Sequence, residues 1–230
     1  MAIAGTISRS VLADQVKDLI LEGILNGQYP PHSRIVETQV ARELGTSQAP
    51  VREALRGLEA LGVVELTPFR GARVRRPSKS EIIEAYAVRS TLESLGIRLA
   101  VPRMTDADVA ELTGHLEAMR AAARDGDGHS LARADARFHG RIVEVAHNGT
   151  LEKVWRSLEP FSRTYITLAV PGADPLWSAN LHAPILEALD RRDVEAVVDA
   201  LQRHFDQVSD NMAARWPDDD APGVVNPPSS

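Results

Sequence analysis

The sequence predicts a mainly α protein in two parts: an N-terminal winged helix-turn-helix over residues 10–77, then an all-α six-helix antiparallel bundle over 78–216. Three observations predict it. Two short amphipathic runs, Val36–Leu44 and Gln48–Leu58, flank the tight turn Gly45-Thr46-Ser47. Next, the β-favouring stretch Val63–Thr67 and the alternating stretch Ala72–Arg76 bracket the turn Pro68-Phe69-Arg70-Gly71. From Ser80 to Trp216, finally, apolar residues recur at helical spacing with no strand pattern.

The elements follow in order. Residues 1–9 lack periodicity and read as a flexible tail. Leu12, Val16, Leu19, Ile20 and Ile24 mark a helix that ends near Gly27, because Tyr29-Pro30-Pro31 cannot continue it. In the second helix Val36, Val40 and Leu44 share a face, and Gly45 supplies the positive φ that ends it. Ser47 is expected as N-cap of the third helix, where Pro50 is tolerable because first-turn amides have no helical partner. Val51, Ala54, Leu55 and Leu58 form its buried face, leaving Gln48, Ala49, Arg52 and Arg56 as a polar and cationic strip suited to a major groove. Helix geometry alone equally describes a helical hairpin with solvated arginines. The hairpin that follows decides for DNA, since a wing places Arg70 and Arg73 beside the flanking phosphates.

Pro77 closes the hairpin and Ser78-Lys79-Ser80-Glu81 opens the next helix as a capping box, so the joint is only a few residues long, short enough to transmit a rotation. Six helices are expected at 80–101, 106–125, 130–147, 150–170, 178–191 and 193–216. Val88, Leu92, Leu95 and Leu99 mark the core face of the first, and Val194, Val197, Leu201, Phe205, Val208 and Met212 that of the last. Pro160 should bend the fourth. Residues 217–230 lack core residues and read as a disordered tail with solvated aspartates.

Charge supports the division. Residues 1–77 carry 10 Lys+Arg against 8 Asp+Glu, whereas the remainder carries 16 against 24. A basic segment on a chain of net charge -6 is the footprint of a reader of DNA phosphates. The absence of cysteine excludes disulfides, thiolate catalysis and zinc-finger sites. With no signal-peptide pattern and no apolar run near the roughly 18 residues of a membrane span, the simplest expectation is a cytoplasmic protein.

In the bundle, Asp135 and His139 are four residues apart on one helical face. His182 lies at the start of the fifth helix and His204 in the middle of the last, both near apolar stripes. One carboxylate and three imidazoles from three helices could ligate one divalent transition metal. Each histidine taken alone is more often a hydrogen-bonded core residue, and Asp-x-x-x-His is common by chance. His32, His115, His129 and His147 read as surface residues, and Arg89 with Glu93 as an exposed ion pair worth ~0.3 kcal/mol. Arg163, Tyr165 and Asn211 are further polar groups able to point inward.

These residues resemble a known family. Arg34-Ile35-Val36-Glu37, the run from Leu44 to Leu55, Leu58, Leu61-Gly62 and the wing glycine Gly71 are similar to the GntR family of bacterial transcription regulators. Arg89-x-x-x-Glu93, Asp135 to His139, Asn148, His182 with Ile185 and Leu186, and His204 resemble the FCD ligand-binding domain of its FadR subfamily, in the six-helix VanR-like branch. The resemblance covers about residues 10 to 215. It implies a homodimer on an inverted-repeat operator. It also implies a small carboxylate or sugar-acid effector near a metal (zinc, nickel or manganese) held by Asp135, His139, His182 and His204, with Arg89, Arg163, Tyr165 and Asn211 on the effector. The DNA-contacting set expected is Arg34, Thr38, Ser47, Gln48, Ala49, Pro50, Arg52, Arg56, Arg70, Gly71 and Arg73. One departure stands out: Gln48 and Ala49 replace the family's usual arginine and threonine, and Gln favours adenine where arginine reads guanine.

The function expected is a ligand-responsive repressor. The alternative is a metal-dependent enzyme using the same Asp and His residues, against which the sequence offers no additional positioned nucleophile or general base. A third class, an architectural DNA-binding protein with a structural bundle, predicts no response to small acids.

Overall fold

The computed structural model describes residues 9–25, 27–30, 32–67, 71–75 and 78–216. The expectations for the two tails, for Arg70 at the wing turn, and for Arg76 and Pro77 lie outside the described residues. The chain divides into two compact units, one ending at Ser78 and the other beginning at Lys79.

The first unit contains α1 (Arg9–Leu25), β1 (Arg34–Ile35), α2 (Glu37–Glu43), α3 (Gln48–Ala60), β2 (Val64–Thr67) and β3 (Gly71–Val74). Helices α1 and α2 both pack on α3, whose Val51, Ala54, Leu55 and Leu58 are buried as expected. α1 buries Ala13, Val16, Lys17, Ile20 and Leu21, so the core stripe is rotated away from Leu19, which is 51% exposed. Leu44 is likewise no core residue. It caps α2, after which Gly45 takes φ 63° and the amide of Thr46 returns to the carbonyl of Ala41 at 2.9 Å. That pattern is a Schellman closure, which needs a left-handed residue and hence favours glycine. Ser47 is the N-cap of α3, but its side chain makes no capping hydrogen bond. The backbone bonds around Gly45 close the turn instead.

The wing is a three-stranded antiparallel sheet of order β1-β3-β2. The sequence predicted its hairpin but not β1. Ile35, Val64, Ala72 and Val74 face the core, while Arg34, Glu65 and Arg73 share the outer face in register. Gly71 is obligatory here: at φ 83° a Cβ would lie 2.6 Å from the carbonyl oxygen of Ile35.

The second unit contains α4 (Lys79–Ala100), a 3-10 turn (Val101–Arg103), α5 (Asp106–Asp125), α6 (Gly128–Val145), α7 (Gly149–Ser157), α8 (Pro160–Leu168), α9 (Pro175–Asn180), α10 (Ala183–Asp190) and α11 (Val194–Arg215). Short polar residues start the helices. Thr105 and Asp108 form a capping box for α5, and Asp127, Asn148, Asp174 and Asp193 cap α6, α7, α9 and α11. Two expected helices are each split in two by a proline. Pro160 starts α8 rather than bending one long helix, and Glu159 before it sits at φ 53°. Pro184 lies in the first turn of α10 and has no N–H to give the carbonyl of Asn180, so α9 stops there and His182 becomes the N-cap residue of α10.

The bundle core includes Ile97, Leu112, Met119, Leu131, Phe138, Ile142, Ile185, Leu189, Leu201 and Phe205. α4 departs from expectation. Its buried stripe is Ile82, Ala85, Tyr86, Arg89, Glu93, Gly96, Ile97 and Ala100, leaving Val88 and Leu95 48% and 46% exposed. A pattern that counts apolar residues puts the leucines inside. The actual interior holds the ion pair, because partners for it arrive from other helices. No described helix is long and apolar enough to cross a membrane.

Candidate functional site

In the first unit, an open groove of about 680 Å³ is lined by the start of α2, the outward face of α3 and the wing strands. It collects Arg34, Thr38, Gln48, Arg52, Arg56 and Gly71 from the expected DNA-contacting set. Ser47, Ala49 and Arg73 lie outside its lining, and Pro50 is buried in α3. Glu37, which is not among the expected DNA contacts, also lines the groove. Its Oε2 accepts hydrogen bonds from Arg52 Nε at 3.1 Å and Nη2 at 2.9 Å. That contact spans fifteen residues across the turn, so no helical spacing announces it.

In the second unit, the four expected metal-ligating residues converge. Asp135 and His139 stand one turn apart on α6, His182 comes from the α9–α10 break, and His204 from α11. All four are at most 5% exposed. His139 Nε2 lies 3.1 Å from His182 Nε2, and Asp135 Oδ1 is 3.2 Å from His182 Nε2 and 3.9 Å from His139 Nε2. His204 completes a set of three imidazoles whose ligand atoms lie within 4.8 Å of one another. With metal–ligand bonds of about 2.1 Å, donors sharing one ion stand roughly 3–4 Å apart, a spacing that Asp135, His139 and His182 meet as they stand.

The outer contacts fix which nitrogens face inward. His139 Nδ1 donates to Glu93 Oε2 at 2.5 Å, and His182 Nδ1 donates to the carbonyl of Ala179 at 3.1 Å. In the neutral rings both Nε2 atoms therefore present lone pairs to each other and to a carboxylate oxygen. Three acceptors turned on one point repel unless a cation stands among them, and a second-shell carboxylate behind a histidine is the usual support of such a ligand.

Glu93 is the hub of that support and is not the exposed partner expected of it. It is fully buried, accepts from Arg89 Nε at 2.7 Å and from Trp155 Nε1 at 2.6 Å, and carries His139 on its other oxygen. Burial alone would raise its pKa, but the neighbouring His139 and Arg89 outweigh burial and hold it down to about 2. Asp135 follows the same pattern: burial opposes its charge, while the buried Arg89 guanidinium, 3.6 Å from Oδ2, lowers its pKa well below the usual range. Burial pushes His139 and His204 down, keeping the imidazoles neutral as metal ligands must be.

Beside the cluster is a cavity of about 20 Å³ bounded in part by Arg89, Asp135, Thr164, His204 and Phe205. It holds about one water. Among the described residues, Arg89 Nη2 and His204 Nδ1 are buried there with no hydrogen-bond partner. Asn211 lines an adjoining cavity of similar size, which shares Thr167, Leu168, Ser178 and Val208 with the first. Arg163 and Tyr165 reach neither. Arg163 Nε donates to the carbonyl of Leu158, and Tyr165 packs against Phe161 and His129.

Comparison with known proteins assigns a family to each of the two units. Residues 12–74 match the family described as bacterial regulatory proteins, gntR family, and residues 84–207 match the FCD domain. The chain is 36% identical over 203 residues to a Paenarthrobacter nicotinovorans protein named "Probable D-xylose utilization operon transcriptional repressor", covering 88% of this chain and 89% of that one. This chain belongs to the GntR family of bacterial transcription regulators. Its membership extends through an FCD domain, so it is a DNA-binding transcription regulator rather than an enzyme. A second GntR-type relative, the gluconate operon transcriptional repressor of Bacillus subtilis, is 25% identical over 199 residues, covering 84% of this chain and 82% of that one. The fold of the GntR regulators is seen in E. coli McbR/YncC, which matches 90% of this chain and 99% of its own at TM-score 0.72 and 24% identity. A regulator from Rhodococcus sp. RHA1 covers 89% and 99% at TM-score 0.69 and 20% identity.

Proposed function

We propose that this GntR regulator is a cytoplasmic repressor released by a small carboxylate or sugar-acid effector that binds beside a divalent metal in the FCD domain. The observation that carries the reading is the convergence of His139 Nε2, His182 Nε2 and Asp135 Oδ1 with the outer imidazole N–H groups already committed elsewhere. Asp135, His139, His182 and His204 would hold zinc, nickel or manganese. The metal supplies a Lewis-acidic position for an effector oxygen. Arg89, with one buried N–H group unspent, offers a charge-assisted donor to the same acid. Asn211 extends the polar lining, and Arg163 and Tyr165 bear on the effector only if the cavity wall rearranges. Because the present cavities are water-sized, an effector has to open them, and that displacement is what couples binding to the DNA-reading unit. A coupling of about 1–3 kcal/mol is sufficient for a regulator.

The operator is read by the groove, with Arg34, Thr38, Gln48, Arg52 and Arg56 at the bases and phosphates and the wing residues Arg70, Gly71 and Arg73 alongside. Binding as a homodimer to an inverted repeat is the accompanying proposal, and the exposed Val88 and Leu95 on α4 offer an apolar surface for a second copy.

A thermal-shift screen of small carboxylates and sugar acids, with and without added zinc, nickel or manganese, tests the reading. Stabilisation by an acid only when metal is present is the expected result. Stabilisation indifferent to metal, or by no acid at all, would remove the effector site from this cluster.

A further inference from the structure

Gln48 stands where the family's usual guanine-reading arginine is found, so the groove must obtain its specificity in another way. The pairing of Arg52 with Glu37 indicates how. A guanidinium carries two edges, each with a pair of parallel N–H donors in one plane. Glu37 occupies the edge formed by Nε and Nη2. The edge formed by Nη1 and Nη2 stays available, and Arg52 remains half-exposed in the groove while Glu37 is mostly covered. A carboxylate on one edge of the fork holds the plane and direction of the other, which cuts the rotamer freedom lost when a base is bound. Two parallel donors held at one angle match the O6 and N7 acceptors of guanine.

We propose that Glu37 is a positioning residue for operator reading: it fixes Arg52 as a two-donor fork, so that this protein reads a guanine through Arg52 while Gln48, one turn earlier on α3, takes over the place of the usual arginine with an adenine preference. The inference rests on the reading that α3 enters the major groove. Glu37 gains nothing from the DNA itself. Its negative charge lies in a cationic groove, where it disfavours phosphates, so its benefit must come through Arg52. A purely structural role is available to it as an acidic residue in the first turn of α2. That role would affect stability and all sequences alike.

The test uses the full-length protein and random-sequence duplexes. Bound sequences are selected for the wild type, and every single-base-pair change in the selected duplex is measured by fluorescence anisotropy. The position served by Arg52 is the guanine whose preference disappears in R52K, which keeps the charge and loses the fork. In E37Q we expect discrimination at that same position to fall roughly tenfold or more, discrimination elsewhere to persist, and affinity for a scrambled duplex to hold or rise. E37A should behave alike, and melting curves check that both variants fold. A full guanine preference in E37Q and E37A would overturn the proposal. So would tighter binding to every duplex with discrimination intact, since Glu37 would then be a clamp that holds Arg52 back. If R52K and R52A keep every preference, α3 is misassigned and the underlying reading fails along with this one.

Discussion

Replacing Glu93 by Gln changes one atom of a carboxylate closed off from solvent, and the consequences follow bond by bond. Oε1 of Glu93 accepts from Arg89 and Trp155, and Oε2 faces the Nδ1–H of His139. An amide has one oxygen for these two places. Placing it at Oε1 keeps two donors satisfied and turns the NH2 group on His139; the reverse keeps one and sets two donors against the NH2 group. The first arrangement costs less. His139 must then accept at Nδ1 and move its proton to Nε2, the atom that points at His182 and the proposed metal. Loss of a supporting carboxylate behind a metal ligand costs about 10–100-fold in metal affinity, and the tautomer change puts E93Q at the upper end. Arg89 also loses the nearer of its two carboxylates, with Asp135 left at 3.6 Å. Breaking a buried pair costs about 3–5 kcal/mol, and the remaining Asp135 and Thr164 contacts place the metal-free loss near about 3 kcal/mol. Competition with a chromophoric chelator measures the first effect and calorimetry of metal-free protein the second. Metal affinity within about threefold of wild type would refute the assignment of Glu93 as the group that sets the His139 tautomer.

Further outcomes are expected elsewhere in the chain. Asp135→Ala should weaken metal binding and abolish effector-driven release in a mobility-shift assay while effector-free operator binding stays largely intact; release at wild-type effector concentrations would contradict the site. Gly71→Ala should destabilise the winged unit by more than the about 1–2 kcal/mol of a left-handed non-glycine residue, because the new Cβ also meets the Ile35 carbonyl at 2.6 Å; chemical denaturation measures it. The Asp108 carboxyl is held down to about 2 from its ordinary 3.8, first by the Thr105 side chain and backbone amide and further by Arg141. Since the folded value is the lower one, this stabilisation is complete above the unfolded value and is lost as pH falls from about 4 to about 2. Asp108→Asn should therefore lower stability by about 1 kcal/mol at neutral pH and flatten the acid limb of the stability profile, as read by melting across pH.

Much of this architecture is legible along the chain because it depends on local chemistry. The turn at Gly45 needs a left-handed residue, the wing alternates core and surface residues with period two, and the helices of the bundle start at Asp, Asn and Thr caps. Asp135 and His139 share a face simply because they are four residues apart. Less legible was anything set by which neighbour arrives. The two helix breaks were within reach, since Pro160 and Pro184 are visible, yet a bend was expected where a proline instead starts a new helix. The interior of α4 was read from its leucines, when Trp155, His139 and Thr164 bring to Arg89 and Glu93 the partners that make burying them tolerable.

By itself, then, the sequence determined the two-part plan and the helix-turn-helix, and it named the residues of the proposed metal set, because periodicity, turn chemistry and residue type are properties of nearby residues. Only the tertiary structure decided what those residues face. It turned Arg89 and Glu93 from a surface pair into the buried support of His139, it placed His182 at the Pro184 break against His139 and Asp135, and it set Glu37 against Arg52. Each of these contacts joins segments between four and 62 residues apart in the chain, and its energy depends on burial and on a third partner. Spacing along a single strand of sequence carries neither.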